Sequence, residues 1–223
     1  MRNLQKIAGI AALCEALIYI VVMVFYGAVW HFPSDADSAQ KLAFLAQNQT
    51  ILSIINLLGY VGFGILLALL VLAVHERLKT KSPTISMLAC VFGVVWVGLV
   101  IASGMLANIG LATTIKLFTK GSEHAWAVWL SANTVVEGLG GGNEIVGGLW
   151  VLLLSSAALK SQALSRPLSY LGLFLGLLGI VTVYPAAVLT DIFGLAQILW
   201  FAWLGIYLMR HSESEHSSVH HDH

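Results

Sequence analysis

Residues 85–109 read ISMLACVFGVVWVGLVIASGMLANI, a stretch in which no side chain carries a formal charge. A helix rising ~1.5 Å per residue needs about 20 apolar residues to cross roughly 30 Å of hydrocarbon, so this stretch is long enough to span a bilayer. It shows no strict alternation of apolar and polar residues, which separates it from a barrel strand. Inside lipid every backbone amide must be satisfied within the segment, and a helix does that.

Working outward, residues 7–30, 51–75, 168–184 and 191–209 have the same character. The whole chain of 223 residues is 58% hydrophobic and only 10% charged, with a mean hydropathy of +0.87. Soluble domains carry about a quarter charged residues, so this composition points to lipid as the solvent. Eleven basic and eleven acidic residues cancel, and no basic cluster suggests a nucleic-acid partner. The first apolar stretch is too long for a secretory h-region and has no small-residue cleavage site after it, so it reads as an uncleaved first span. Cys14 and Cys90 lie inside apolar runs without metal-ligand spacing and read as small hydrophobes.

The remaining span is interrupted. From Glu123 to Leu159 the chain is longer than one crossing requires, and the run GLGGG at 138–142 breaks it. The reading is an amphipathic segment over 124–136 on the outer surface, a glycine hinge, and a fourth span over 143–159. The expectation is therefore an all-α, multi-pass transmembrane bundle of six helices filling residues 1–210 as one domain. Residues 211–223, rich in His and Ser, read as a disordered cytoplasmic tail in which metal binding is the weaker alternative.

Charge asymmetry orients the bundle. Arg2, Lys6, Arg77, Lys79, Lys81, Lys160, Arg166 and Arg210 fall on the side of the N-terminus, while Lys41, Lys116 and Lys120 fall opposite. Basic residues prefer the cytoplasm, so both termini are expected there. Trp30, Trp126 and Trp129 then form an outer aromatic belt. Residues 34–47 suggest a short helix lying on that surface. The short connections 76–82 and 160–166 make their flanking helices antiparallel neighbours. Glycines at close-packing spacing, such as Gly59, Gly62 and Gly64 or Gly172, Gly176 and Gly179, suit backbone approach between helices.

Ionisable and amide side chains inside a bilayer are costly and mark candidate sites. Counted from the basic ends, Asn143 and Glu144 lie roughly 24 Å up, in the outer half. Glu137 and Asp191 fall near the outer face, Gln197 closer to the midplane, and Asn56 and Asn108 at the outer ends of their helices, with Asn133 in the same outer group. Asn143, Glu144, Glu137, Gln197 and Asp191 are the candidate lining of an outward-opening polar cavity. For Asn56, Asn108 and Asp191, helix ends touching water is the plainer reading. Glu15, roughly 13 Å from the basic end, is a candidate buried carboxyl facing the bundle interior. Depth alone suggests that Glu15 and Glu144 bracket a proton path through Tyr19 and Gln197, against a plain interhelical hydrogen bond.

His31, His75 and His124 lie near interfaces, which disfavours an intramembrane haem. No metal site or cofactor is implied. No phosphate-binding loop, zinc-protease pair or nucleophile elbow occurs, so an enzyme is not expected.

The block GGGNEIVGGLW at 140–150, followed by AALKSQALSRPLSYLG at 157–172, resembles an uncharacterised bacterial family of six-span proteins, a domain of unknown function. The opening KIAGIAAL at 6–13 and the closing FGL at 193–195 with WFAWLG at 200–205 look like its ends. The resemblance implies a multi-pass protein of the bacterial inner (plasma) membrane and supplies no substrate or site residues. Two functions stay open: a small permease or proton-coupled carrier, and a non-catalytic accessory or sensor subunit acting through helix contacts. Expected partners are the lipid bilayer, a small solute or proton, and a homo-oligomer or other membrane protein.

Overall fold

In the computed structural model the described residues are 2–141, 144–184 and 186–211, and among them every regular element is helical. Five stretches are long and apolar enough to cross a membrane: Asn3–Val29, Gln49–Leu78, Pro83–Phe118, Ser122–Ser161 and Val188–His211. A shorter apolar helix, Arg166–Val181, joins them. In chain order the α-helices are α1 Arg2–Val24, α2 Ser38–Gln47, α3 Gln49–Asn56, α4 Phe63–Leu78, α5 Pro83–Phe118 and α6 Ser122–Val136. They continue with α7 Ile145–Ser161, α8 Arg166–Val181 and α9 Ala187–His211.

The six long packing partners close into a ring in the order α1, α4, α5, α7, α8, α9 and back to α1. Small residues set the contacts. A Cβ at Gly205 would sit 2.7 Å from the Gly9 carbonyl oxygen, and one at Gly148 would sit 2.8 Å from that of Gly176. Backbone therefore touches backbone in the α1–α9 and α7–α8 seams, as close-packed membrane helices do. The ring's outer surface is apolar: Leu17 is 59% exposed, Leu72 51% and Leu177 57%, while Ala8, Ala11 and Ala12 face inward. That inversion of size and exposure suits a hydrocarbon surround and would be an aggregation hazard in water.

The start of α1, the end of α9 and most basic residues lie at one end, called here the basic end. Arg77 Nε donates to the Ala163 carbonyl at 3.1 Å, and its guanidinium lies over the Tyr207 ring. Lys81 Nζ reaches the Ser161 carbonyl at 3.4 Å and Gln5 Nε2 the Ala73 carbonyl at 2.7 Å. Cations thus meet the free carbonyls of the α7 C-terminus, where the helix dipole is negative. α7 stops there because Gln162 adopts a left-handed conformation, and α8 restarts on the Arg166–Pro167 pair.

The opposite end departs from the expected simple spans. α5 runs to Phe118, nine residues past residue 109, and is about 54 Å long. α6 is not a helix lying free on a surface. It doubles back along α5, with Ala125, Leu111 and Thr114 fully buried and Gly110 fitted against Ala132. The segment expected on the outer surface packs one face on protein because the α5 extension offers it a partner. α2, with Asp37 Oδ1 accepting from the Gln40 amide at 2.8 Å, packs on α5 and α6. Where a fourth span was expected over 143–159, α7 begins at Ile145; Asn143 lies outside the described residues, as does the tail beyond His211. Where a fifth was expected over 168–184, the 16-residue α8 is about 24 Å long.

Candidate functional site

Three helical paths loosen at the end away from the termini. α1 continues as a π-helical turn, Phe25–Val29, and α3 joins α4 through another, Leu57–Gly62. After α6 the chain turns at Glu137–Gly141, where Gly140 has φ +147°, a conformation that a side chain resists. A π turn inserts a residue into the helical register and rotates the side chains beyond it, and such turns gather at functional sites. Here all three contribute to one set of walls: Tyr26 and Gly27, Gly59 and Tyr60, Glu137 and Gly140.

Those walls enclose three cavities that share Val22 and Tyr26. The innermost, about 120 Å³, lies between Tyr19, Asn56, Tyr60 and Glu144 and rests on Phe63 and Trp96. A second, about 460 Å³, extends toward Trp30, Trp129, Asn133 and Glu137. A third, about 410 Å³, reaches between α1 and α9 to Met23, Asp191 and Gly194. The three adjoin along Val22 and Tyr26 and are called here, collectively, the chamber.

Glu144 stands at its centre, 8% exposed, lining both the innermost cavity and the α1–α9 branch. Its backbone is held firmly. The Glu144 amide donates to Thr182 Oγ1 at 2.8 Å, and that hydroxyl donates to the Gly179 carbonyl at 2.6 Å. The Glu144 carbonyl accepts from the Gly148 amide at 2.7 Å, the first turn of α7. On the side-chain end, Oε2 is buried without a hydrogen-bond partner among the described residues. Glu137 and Asp191 are exposed at the two mouths. Among the described residues the chamber lining therefore includes three carboxyls and no lysine, arginine or histidine. Such a lining favours a positively charged guest.

The floor is aromatic. Phe63, Trp96, Trp150, Trp200 and Phe201 form a closed circuit, with successive ring centroids 5.6, 5.7, 5.8, 5.5 and 5.9 Å apart. Tyr19 packs edge-on against Phe63 at 5.4 Å. Glycines make the space: side chains at Gly147, Gly93 and Gly172 would collide with Trp96, Trp150 and Trp200 respectively. The rings bridge α4, α5, α7 and α9 and seal the bundle centre.

Gln197 is fully buried and is not among the residues lining these cavities, so it is not brought together with Glu144, Glu137 and Asp191. It sits on α9 one turn from Trp200, on the face turned into the bundle, and the aromatic circuit takes the space the cavity was expected to reach. Glu15 is fully buried, and neither its oxygens nor the Gln197 amide atoms have a hydrogen-bond partner among the described residues. Asn56 and Asn108 are more than wet helix ends: Asn56 Nδ2 donates to Asn108 Oδ1 at 3.2 Å, tying α3 to α5. Among the described residues no three His, Cys, Asp or Glu side chains converge as metal ligands.

Tyr26 and Tyr60 are the site residues that sequence reasoning passed over. Each adjoins a glycine inside an apolar run, in Phe25-Tyr-Gly27 and Gly59-Tyr60, and that pairing was the available signal. Compared with known proteins, the chain matches no family model, no curated protein and no solved structure.

Proposed function

We propose that this chain is a six-span carrier for a small cationic solute, moved alone or in exchange with protons. In this reading α8 is the fifth of six spans and the basic end faces the cytoplasm of a bacterial cell. The chamber then opens to the outer side of the inner membrane. Eight basic residues against three support that orientation. The reading also takes the chain as a member of the uncharacterised six-span family that its 140–172 block resembles.

The observation that carries the proposal is a chamber with a buried carboxyl in its wall, one oxygen of which has no hydrogen-bond partner among the described residues, above a floor of packed aromatic rings. A carrier needs a site open to one side and a barrier toward the other. Glu144 supplies the site and the circuit around Trp96 and Trp150 the barrier. Glu15 and Gln197, buried and unpartnered at the level of the barrier or beyond it, are the groups a proton would visit. An accessory role is the second reading, favoured by the same closed floor and by the tight α7–α8 seam.

The test is proton or organic-cation flux into liposomes containing the wild-type protein or Glu144→Gln. Saturable flux that the variant loses by at least about tenfold supports the carrier. Flux in neither protein removes the carrier and leaves the accessory role.

A further inference from the structure

The α1–α9 seam is closed at one end of the bundle and open at the other. At the basic end a Cβ on Gly9 would lie 2.9 Å from the Gly205 oxygen, leaving no gap. Toward the chamber the same helices separate. Nothing lies within 4 Å of a Cβ placed on Gly27, and a Cβ on Gly194 would meet only Met23 Cε at 3.4 Å and Tyr19 Cε1 at 4.0 Å. The 410 Å³ branch occupies this gap and leads inward to Glu144. Its volume falls in the range of small-molecule sites, roughly 300–1,000 Å³.

This mouth carries one carboxyl, the exposed Asp191, and is otherwise apolar on the outside. Val24, Val188, Ile192 and Leu195 flank it with 54%, 65%, 43% and 58% of their surface exposed. They belong to the face that the bundle turns to hydrocarbon. The second mouth, near Asn133 and Glu137, is the more polar one. A mouth that sets one carboxyl in an apolar rim is suited to a molecule that is itself divided.

We infer that the α1–α9 seam is a lateral portal admitting a membrane-borne amphiphile, an alkyl chain bearing an ammonium-type headgroup, whose cation seats on Glu144. The lining favours this class over a small hydrated cation. A hydrated ion entering the innermost cavity exchanges its water for one carboxyl, the Asn56 amide and three tyrosines amid largely apolar walls, a poor trade. An alkylammonium is already partly dehydrated in the membrane interface. It brings its tail against Val22 and Met23 and its head against Glu144 and the faces of Tyr19 and Tyr26. Met23, unbranched and flexible, is the side chain standing in the gap, and its motion opens or closes the portal. This inference rests on the chamber being a binding site, and it adds the substrate class and the entry route.

The test uses the full chain in phosphatidylcholine nanodiscs. Three probes separate head from tail: radiolabelled dodecyltrimethylammonium, tetramethylammonium and dodecanol. The expected result is saturable binding of about one dodecyltrimethylammonium per chain, with each half-molecule at least about tenfold weaker. Glu144→Gln should weaken binding of the amphiphile by at least about tenfold. Met23→Trp should slow its loading by a similar factor, and Gly194→Phe repeats the block from the opposite wall in case the first variant does not fold. Tetramethylammonium binding as well as the long-chain probe overturns the proposal. So does wild-type loading in both blocked variants, which would place entry at the Asn133 mouth. Binding without flux keeps the portal and removes the carrier. Flux of tetramethylammonium that ignores both blocking variants keeps the carrier and removes the portal.

Discussion

The two ends of this bundle are built from the same apolar alphabet and behave oppositely. At the basic end, Gly9 and Gly205 let α1 and α9 touch, Gln5 reaches across to α4, and Arg77 ties α4 to the end of α7. At the other end, Gly27, Gly59 and Gly140 sit in loosened turns and the helices part around a chamber. A glycine is thus a contact or a gap according to what stands opposite it. Gly205 faces a carbonyl 2.7 Å from its Cβ position, while Gly27 faces nothing within 4 Å.

The contrast can be broken at its dividing layer. Trp96→Ala empties the centre of the floor and should cost about 3–5 kcal/mol, the usual range for a buried aromatic. A large drop in melting temperature, followed by size-exclusion of the heated protein in detergent, checks the stability. A rise in passive proton leak in liposomes checks the seal. If the variant is as stable and as tight as wild type, the floor is not a barrier.

Gly205→Leu against Gly27→Leu sharpens the comparison directly. The first forces α1 from α9 and should cost about 2–3 kcal/mol by overpacking. The second adds a side chain to open space and should stay within about 0.5 kcal/mol. Equal effects in the same melting assay would contradict the two-ended description.

Gly140→Ala probes the kink before α7. The space around it is open, so only the φ of +147° opposes the methyl, at about 1–2 kcal/mol. Because the backbone there positions Glu144, ligand binding should fall more than stability does. A melting shift without loss of binding would detach the kink from the site.

Arg77→Ala is the smallest of the series. The guanidinium is half-buried at the basic end, so losing its bond to Ala163 and its contact with Tyr207 should cost about 1 kcal/mol. It should leave chamber binding unchanged. An effect on binding larger than on melting would mean that the two ends communicate.

Legibility followed distance along the chain. The long apolar stretches, the burial of Glu15 and the break near residue 140 were readable, because each is a local pattern of hydropathy or spacing. The α6 segment was readable as a helix, but its cover was not: α5 had to run past residue 109 before a partner for it existed. Gln197 looked like a cavity residue by depth, yet depth leaves rotation about the helix axis unspecified, and the rings of Trp150, Trp200 and Phe201 occupy that space. Tyr26 and Tyr60 were hidden because π turns change side-chain direction without changing composition.

By itself, then, the sequence determined an all-helical chain whose stretches prefer hydrocarbon, with basic residues at alternate turns and carboxyls grouped at similar depths. Hydropathy and charge act residue by residue, so a single chain displays them directly. Tertiary structure alone decided the closed ring, the aromatic floor and the chamber with its seam between α1 and α9. A cavity is the space left between helices that are distant in sequence, and nothing in the order of residues records that space until the helices pack.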